Sequence, residues 1–286
     1  MNDSSSEAGI HMPDAGAAAA IAKVFVRARR EGEALGAFPG AIPATLENAY
    51  RCQDQAIRDW PDTIAGWKVG YIAPAQREAG GDERLVGPVF TRNVRHADTH
   101  SVVEFPVFAG GFAAVEAEFV FRLGADAPAG KTHWSDDEAA ALVAELHIGI
   151  ETAGSPLATI NALGPCVVVS DFGNNAGLIL GPRITDWRSF PEFALACVTF
   201  VDGRRVGEGS AAAVAGGLRA SLAFALSRCA RNGRALRAGD LVTTGAVTGI
   251  HEITSGQDAL ADFGALGTIR CRAVEARAFA HARNGA

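Results

Sequence analysis

Residues Val115–Gly124 read VEAEFVFRLG, an apolar, strand-like run that carries two carboxylates two residues apart. Period-2 alternation puts Val115, Ala117, Phe119 and Phe121 on one face of a strand. Glu116, Glu118 and Val120 then share the other face. With a rise of about 3.3 Å per residue, the two glutamates sit roughly 7 Å apart at the backbone. Like charges at that spacing repel unless water or a cation screens them. Taken alone, the run fits either a solvent-facing strand surface or half of a cation site.

A third carboxylate, Glu151 in ELHIGIETAGSP, follows Glu118 by 33 residues. Strand alternation there aligns Glu145, His147, Gly149 and Glu151. The interval has room for a strand–helix–strand return that would bring Glu151 beside the first pair. Three carboxylates around one point call for a counter-ion. A hard divalent cation with oxygen ligands, Mg²⁺ above all, meets that need. His147 could be a fourth ligand or a hydrogen-bonded structural residue.

Other segments carry possible chemistry. In GWKVG, Lys68 lies between Trp67 and Val69 and is bracketed by glycines. It either packs its stem and leaves the ammonium in water, or is a partly desolvated cation for a substrate carboxylate or for proton transfer. In VVVSDFGNNAGLILGP, Ser170, Asp171 and Asn174 lie between two apolar segments. They make either a polar turn or a site floor, with Ser170 and Asn174 facing substrate and Asp171 oriented toward a ligand. In RAGDLVTTGAVTGIHEITSGQ, the loop amides and Thr248 could meet an anionic substrate.

The chain has 286 residues, 48% of them hydrophobic and 20% charged, enough to bury a substantial core and unlike a disordered protein. A formal net charge of −6, with basic residues clustered only in VRARREGE and RCARNGRALRAG, argues against a nucleic-acid partner. Both clusters read as solvated helix faces or ends. No apolar run reaches the roughly 18 residues of a membrane span, and the N-terminus lacks the layout of a secretory signal. Residues 1–13 read as a disordered leader. Five dispersed cysteines in apolar segments read as buried reduced thiols, so a cytoplasmic location is expected.

Helices are expected over AGAAAAIAKVFVRARREG with Asp14 as N-cap, over TLENAYRCQDQAIRDW, at 135–146 with Ser135 as cap, and at 211–231. Strands are expected at IAGWKVGYI, 115–123, 166–170, 177–181, 195–202, 240–245 and 267–274. APAQREAGGDERLVG reads as a loop. With 33 glycines and more strands than helices, the fold class is α+β. A helical N-terminal arm and lid region over 14–100 would precede a β-rich body over 101–280, the two forming one structural unit.

Taken in order, AYRCQ, GWKVGYIAP, VEAEFVF, GIETAGS, SDFGNNAGLILG and AGDLVTTGAVTG resemble the 2-keto-4-pentenoate hydratase / 4-oxalocrotonate decarboxylase family. That family lies within the fumarylacetoacetate hydrolase superfamily. The resemblance runs over roughly residues 20–275. It implies a rolled mixed β-sheet body, a homo-oligomer, and Mg²⁺ (or Mn²⁺) held by Glu116, Glu118 and Glu151, with Lys68 in the active site. It further implies a lyase that acts on a 2-oxo or 2-hydroxy-dienoate acid through a metal-stabilised enolate. Hydration is the first reading, with decarboxylation of a 2-oxo-3-ene dioate or hydrolytic C–C cleavage of a diketo acid as alternatives. Lys68 would pair with the substrate carboxylate or shuttle a proton, and for hydration Asp171 or metal-bound water could supply the base. A non-catalytic partner subunit is the alternative from another class, but it would have no reason to keep three mutually repelling carboxylates. Three departures stand out. Leu85 or Val86 occupies a position where the family places an acid, ETAGSP keeps Ser155 but lacks the acid and arginine of the family's Asp-Ser-Arg string, and Gly245–Ala246 replaces Gly–Ser.

Overall fold

The computed structural model describes residues 15–98 and 101–276. The expected leader and the Asp14 cap lie outside the described residues. Among the described residues, five helices run α1 (Ala15–Glu31), α2 (Leu46–Asp59), α3 (Asp136–Ala141), α4 (Pro165–Ser170) and α5 (Gly217–Arg231). The strands are β1 (Ile64–Tyr71), β2 (Arg84–Phe90), β3 (Val94–His96), β4 (Val102–Val107), β5 (Phe112–Leu123), β6 (Val143–Ser155) and β7 (Asn175–Arg183). They continue with β8 (Ala196–Val201), β9 (Arg204–Ser210), β10 (Leu241–Thr243), β11 (His251–Glu252), β12 (Asp258–Asp262) and β13 (Thr268–Glu275).

An eight-stranded mixed sheet runs β2-β1-β10-β5-β6-β7-β3, with β11 also on β5, and a five-stranded sheet runs β4-β13-β12-β8-β9. The α+β class holds. The large sheet curls, because Val89 of β2, Leu241 of β10, Val120 of β5 and Leu178 and Leu180 of β7 meet in one buried cluster. The opposite face of β5 packs on the small sheet, where the rings of Phe119 and Phe263 meet edge-to-face at 5.5 Å. Both faces of β5 are therefore buried, which rules out the solvent-facing reading of its carboxylates.

α1 buries Ile21, Ala22, Phe25 and Val26 at helical spacing, and α2 opens on Thr45, whose hydroxyl accepts from the Asn48 amide. α2 also explains AYRCQ. The Tyr50 hydroxyl accepts from the Val86 amide, and the Gln53 amide donates to the carbonyls of Val86 and Val169. Those bonds hold β2 and α4 against one helix.

Several expected elements differ. Residues 166–170 form α4 and not a strand. Gly164, at φ 96°, turns the chain and Pro165 opens the helix, so the turn chemistry outweighs the β-branched valines. The helix expected at 135–146 keeps its Ser135–Glu138 capping box but stops at Ala141, because 143–155 pairs along the whole of β5. The helix expected at 211–231 begins at Gly217, after Gly216 and Gly217 adopt positive φ. Residues 84–87, the end of the expected loop, belong to the buried strand β2. Strands β1, β2 and β3, all before residue 100, belong to the same sheet as β5–β7. Among the described residues, no helix is long and apolar enough to cross a membrane.

Candidate metal centre and active-site cavity

The antiparallel β5–β6 ladder sets Glu116 directly opposite Glu151 and Glu118 opposite Gly149. Directly paired residues share a face, with Cβ atoms about 4.5–5.5 Å apart. One face therefore gathers all three carboxylates, and an oxygen from each lies within 4.8 Å of the other two. Glu118 and Glu151 are fully buried and Glu116 is 6% exposed.

Each carboxylate is aimed by its neighbours. Glu118 Oε2 accepts from the Gly245 amide at 2.7 Å, and Glu151 Oε1 accepts from Asn175 Nδ2 at 2.9 Å. Glu118 Oε1 and Glu151 Oε2 are buried with no hydrogen-bond partner in the protein. Two orphaned carboxylate oxygens in a buried site are costly unless a cation receives them. Lys68 Nζ, buried, lies 3.5 Å from Glu151 Oε1. Burial, then the Glu151 charge, pushes the Glu116 carboxyl up to about 8, against the opposing pull of Lys68. Burial, Glu151 and Glu116 likewise raise Glu118 well above the carboxylate range. For Lys68, burial acts to lower the ammonium's pKa, but the three glutamates outweigh it and hold the group above its ordinary value. With all three carboxylates ionised and Lys68 charged, the cluster carries a net charge of −2. A divalent cation on oxygen ligands fits both the charge and the donor set.

The cluster opens into a cavity of about 600 Å³ whose walls include Lys68, Glu116, Asn174, Thr244, Gly245 and Leu85. Strand β10 ends at Thr243, so the sheet parts between β1 and β5 and the 244–250 turn enters the gap. Gly245, at φ 106°, turns its amide onto Glu118 there. The departure at Leu85 is visible in the wall, where a buried apolar side chain stands.

The structure brings together Glu116, Glu118, Glu151, Lys68 and Asn174. Asn174 lines the cavity, donates from Nδ2 to Asn161 Oδ1 at 3.3 Å, and leaves its own Oδ1 buried and unpartnered. The other sequence candidates lie elsewhere. Asp171 is fully buried, with Oδ1 2.5 Å from Arg29 Nε and Oδ2 accepting from Ser155 Oγ at 2.6 Å. Both its oxygens are taken, and it is not part of the cavity wall, so the expected base is instead a structural anchor. Ser170 donates to the Cys166 carbonyl at 2.7 Å, closing its own helical turn. Thr248 is engaged by the Thr199 hydroxyl at 2.8 Å and by His251 Nε2 at 3.2 Å, so Thr244, Gly245 and Ala246 face the cavity in its place. His147 places Nδ1 3.1 Å from the Gly181 carbonyl and Nε2 3.1 Å from Glu145, which occupies both ring nitrogens away from the trio.

Two residues that position the site were not singled out from the sequence: Arg29 and Asn175. Arg29 of α1, read as part of a solvated helix end, is buried and donates to the carbonyls of Asn175, Gly154 and Asp171 at 2.9, 2.8 and 3.2 Å. It fixes a turn in which Phe172, Gly173 and Asn174 all have positive φ. Asn175 at the end of that turn aims Glu151. Only the asparagine pair offered a sequence signal.

The family model described as Fumarylacetoacetate (FAA) hydrolase C-terminal matches residues 68–275. A 2-keto-4-pentenoate hydratase of Burkholderia vietnamiensis (strain G4 / LMG 22486) is 26% identical over 269 residues, covering 92% of this chain and 100% of the relative. Among solved structures, 4-oxalocrotonate decarboxylase from Pseudomonas putida G7, complexed with magnesium and adipate, superposes with a TM-score of 0.76 at 22% identity. That match covers 90% of this chain and 97% of the other. Fumarylpyruvate hydrolase from Pseudomonas aeruginosa, in complex with Mn²⁺ and pyruvate, gives a TM-score of 0.51 at 17% identity, over 77% of this chain and 94% of that one. The matched segment holds the carboxylate trio and Lys68, and the chain belongs to the fumarylacetoacetate hydrolase family.

Proposed function

We propose that this chain is a divalent-metal-dependent lyase for a 2-oxo acid or its 2-hydroxy-dienoate form, with hydration as its reaction. The observation that carries the reading is the trio Glu116, Glu118 and Glu151, buried, convergent and with two oxygens left without donors. The full-length relative named as a hydratase supports the reaction type. Mg²⁺ (or Mn²⁺), the ions named with the similar structures, would be held by the three glutamates and would supply Lewis acidity to negative charge developing at the substrate's C2 oxygen.

The chain's own residues do the rest. The Gly245 amide and Asn175 hold Glu118 and Glu151 at fixed angles, so no reorganisation is needed when charge develops. Lys68 Nζ presents a buried cation to the substrate carboxylate. Asn174 Oδ1 accepts a hydrogen bond from a substrate hydroxyl. Leu85, Val69, Ile72 and Val168 keep bulk water from the reacting carbons. A homo-oligomer, as the resemblance implies, is part of this reading, and light scattering that gives a monomer mass would remove it.

Decarboxylation of a 2-oxo-3-ene dioate is the second reading, and one observation favours it. Leu85 replaces an acid and Asp171 is tied to Arg29, so Glu116 is the one acidic residue of the described cavity wall, and a base for adding water is scarce. Incubation with 2-hydroxypenta-2,4-dienoate and with 2-oxohex-3-enedioate, with Mg²⁺ or with chelator, separates the two. Metal-dependent loss of diene absorbance without CO₂ supports hydration, and CO₂ release supports decarboxylation. Consumption of neither compound contradicts both.

A further inference from the structure

The cavity runs along β1, where Lys68, Val69, Gly70 and Tyr71 in succession line its wall. Period-2 alternation puts Lys68 and Gly70 on one face of the strand, roughly 7 Å apart. The β1–β2 ladder sets Gly70 directly opposite Leu85, so these two share that face as well. Lys68 marks the end of the cavity at the carboxylate trio, through its contact with Glu151. Beyond Gly70 the cavity continues to Tyr71 and Ile72.

The ladder holds three glycines, Gly66, Gly70 and Gly87, and they differ in what they make room for. A Cβ on Gly66 would lie 2.1 Å from the Leu241 carbonyl oxygen, and one on Gly87 would lie 2.1 Å from that of Phe172. Backbone packing excludes a side chain at both. Gly70 is under no such demand. Its φ is not positive and its pairing is regular, so its backbone conformation is open to any residue. The nearest neighbours of a Cβ there would be side-chain atoms: Leu85 Cδ1 at 3.2 Å, Lys68 Nζ at 3.4 Å and Leu85 Cγ at 3.5 Å. A glycine inside a strand weakens it, and where no fold constraint calls for one it marks a close approach by a ligand.

Resting on the 2-oxo acid reading above, we infer that Gly70 is a specificity residue. Its uncovered backbone is the floor over which the substrate carbons beyond C2 pass, between the Lys68 ammonium and Leu85. In the free protein those two side chains can yield the few tenths of an ångström that a methyl group on Gly70 requires. With a substrate chain between them they have nowhere to move. A methyl at this position therefore leaves the fold and the binding of the 2-oxo head intact and excludes the chain.

The test compares pyruvate, the head alone, with 2-oxohexanoate, the same head on a longer chain, by calorimetry on the Mg²⁺-loaded full chain. The parent should bind 2-oxohexanoate about 10-fold more tightly, because the chain buries apolar surface. Gly70→Ala should melt at or slightly above the parental temperature, since alanine fits an extended backbone and restricts the unfolded chain. It should bind pyruvate as the parent does and 2-oxohexanoate about 10-fold more weakly, the scale of an overpacked site. Adding Leu85→Ala to Gly70→Ala reopens the space from the other side and should restore the preference for the longer acid. Equal parental affinities, or a Gly70→Ala protein that keeps the parental preference, would overturn the inference. So would a Gly70→Ala protein that loses both acids alike, or a double variant without rescue, since either marks a purely structural glycine. If the Mg²⁺-loaded parent binds neither probe, the 2-oxo acid reading itself fails, and this inference with it.

Discussion

Asp171 and Arg29 lie 142 positions apart and meet with the aspartate fully buried. An Asp171→Asn change leaves a buried guanidinium without its counter-ion, which costs about 3–5 kcal/mol of folding stability. Urea denaturation checks this, and a loss under about 1 kcal/mol would restore Asp171 as a candidate base. The pair also shows which residues a sequence hides. Glu116 and Glu118 are legible because two acids in an apolar period-2 run have no ordinary place in a core, and Glu151 because it recurs in a second such run. Arg29 is not legible, since an arginine near a helix end reads as solvated until its partner is known. Thr248 and Ser170 fail in the opposite sense. Their loops are polar for local hydrogen-bonding reasons, and those local bonds use up the hydroxyls.

Strand legibility follows the clarity of the period-2 pattern, since β6, paired on both sides, begins inside the stretch whose pattern suggests a helix over 135–146. β5 and β7 follow their hydrophobic pattern, whereas 165–170 is an apolar run whose period cannot tell strand from helix. There the positive φ of Gly164 and the following Pro165 decide. The close approach of β2 to the 172–174 turn is also tertiary. A Cβ on Gly87 would lie 2.1 Å from the Phe172 carbonyl oxygen. Gly87→Ala must push that turn outward, at about 1–3 kcal/mol as for other overpacked sites. Because the turn leads into Asn175, which aims Glu151, Mg²⁺ affinity should fall along with stability. Thermal melts and metal titration check both effects, and parental values in each would contradict the coupling.

The molecule as a whole stores electrostatic cost at one point. Without a cation, Glu116 titrates near 8 in the folded protein and near 4.5 in the unfolded chain. Between those values the folded state binds protons that the unfolded chain has released, so stability falls as pH rises. Chelator-treated protein should therefore melt progressively lower from about pH 5 to about pH 8. Saturating Mg²⁺ should reverse the trend, since ligands must be deprotonated to bind it. At 100 times its dissociation constant the ion adds about 2.7 kcal/mol, a shift of several degrees. A melting temperature that rises with pH in chelator would contradict this. The most direct measurement is the metal content of chelator-washed, Mg²⁺- or Mn²⁺-reconstituted protein beside a Glu118→Gln variant. We expect about one ion per chain in the parent, from the one such trio among the described residues, and a much weakened, substoichiometric content in the variant. A parent that retains no ion, or a variant that holds it as well as the parent, would show that these carboxylates do not converge on a metal.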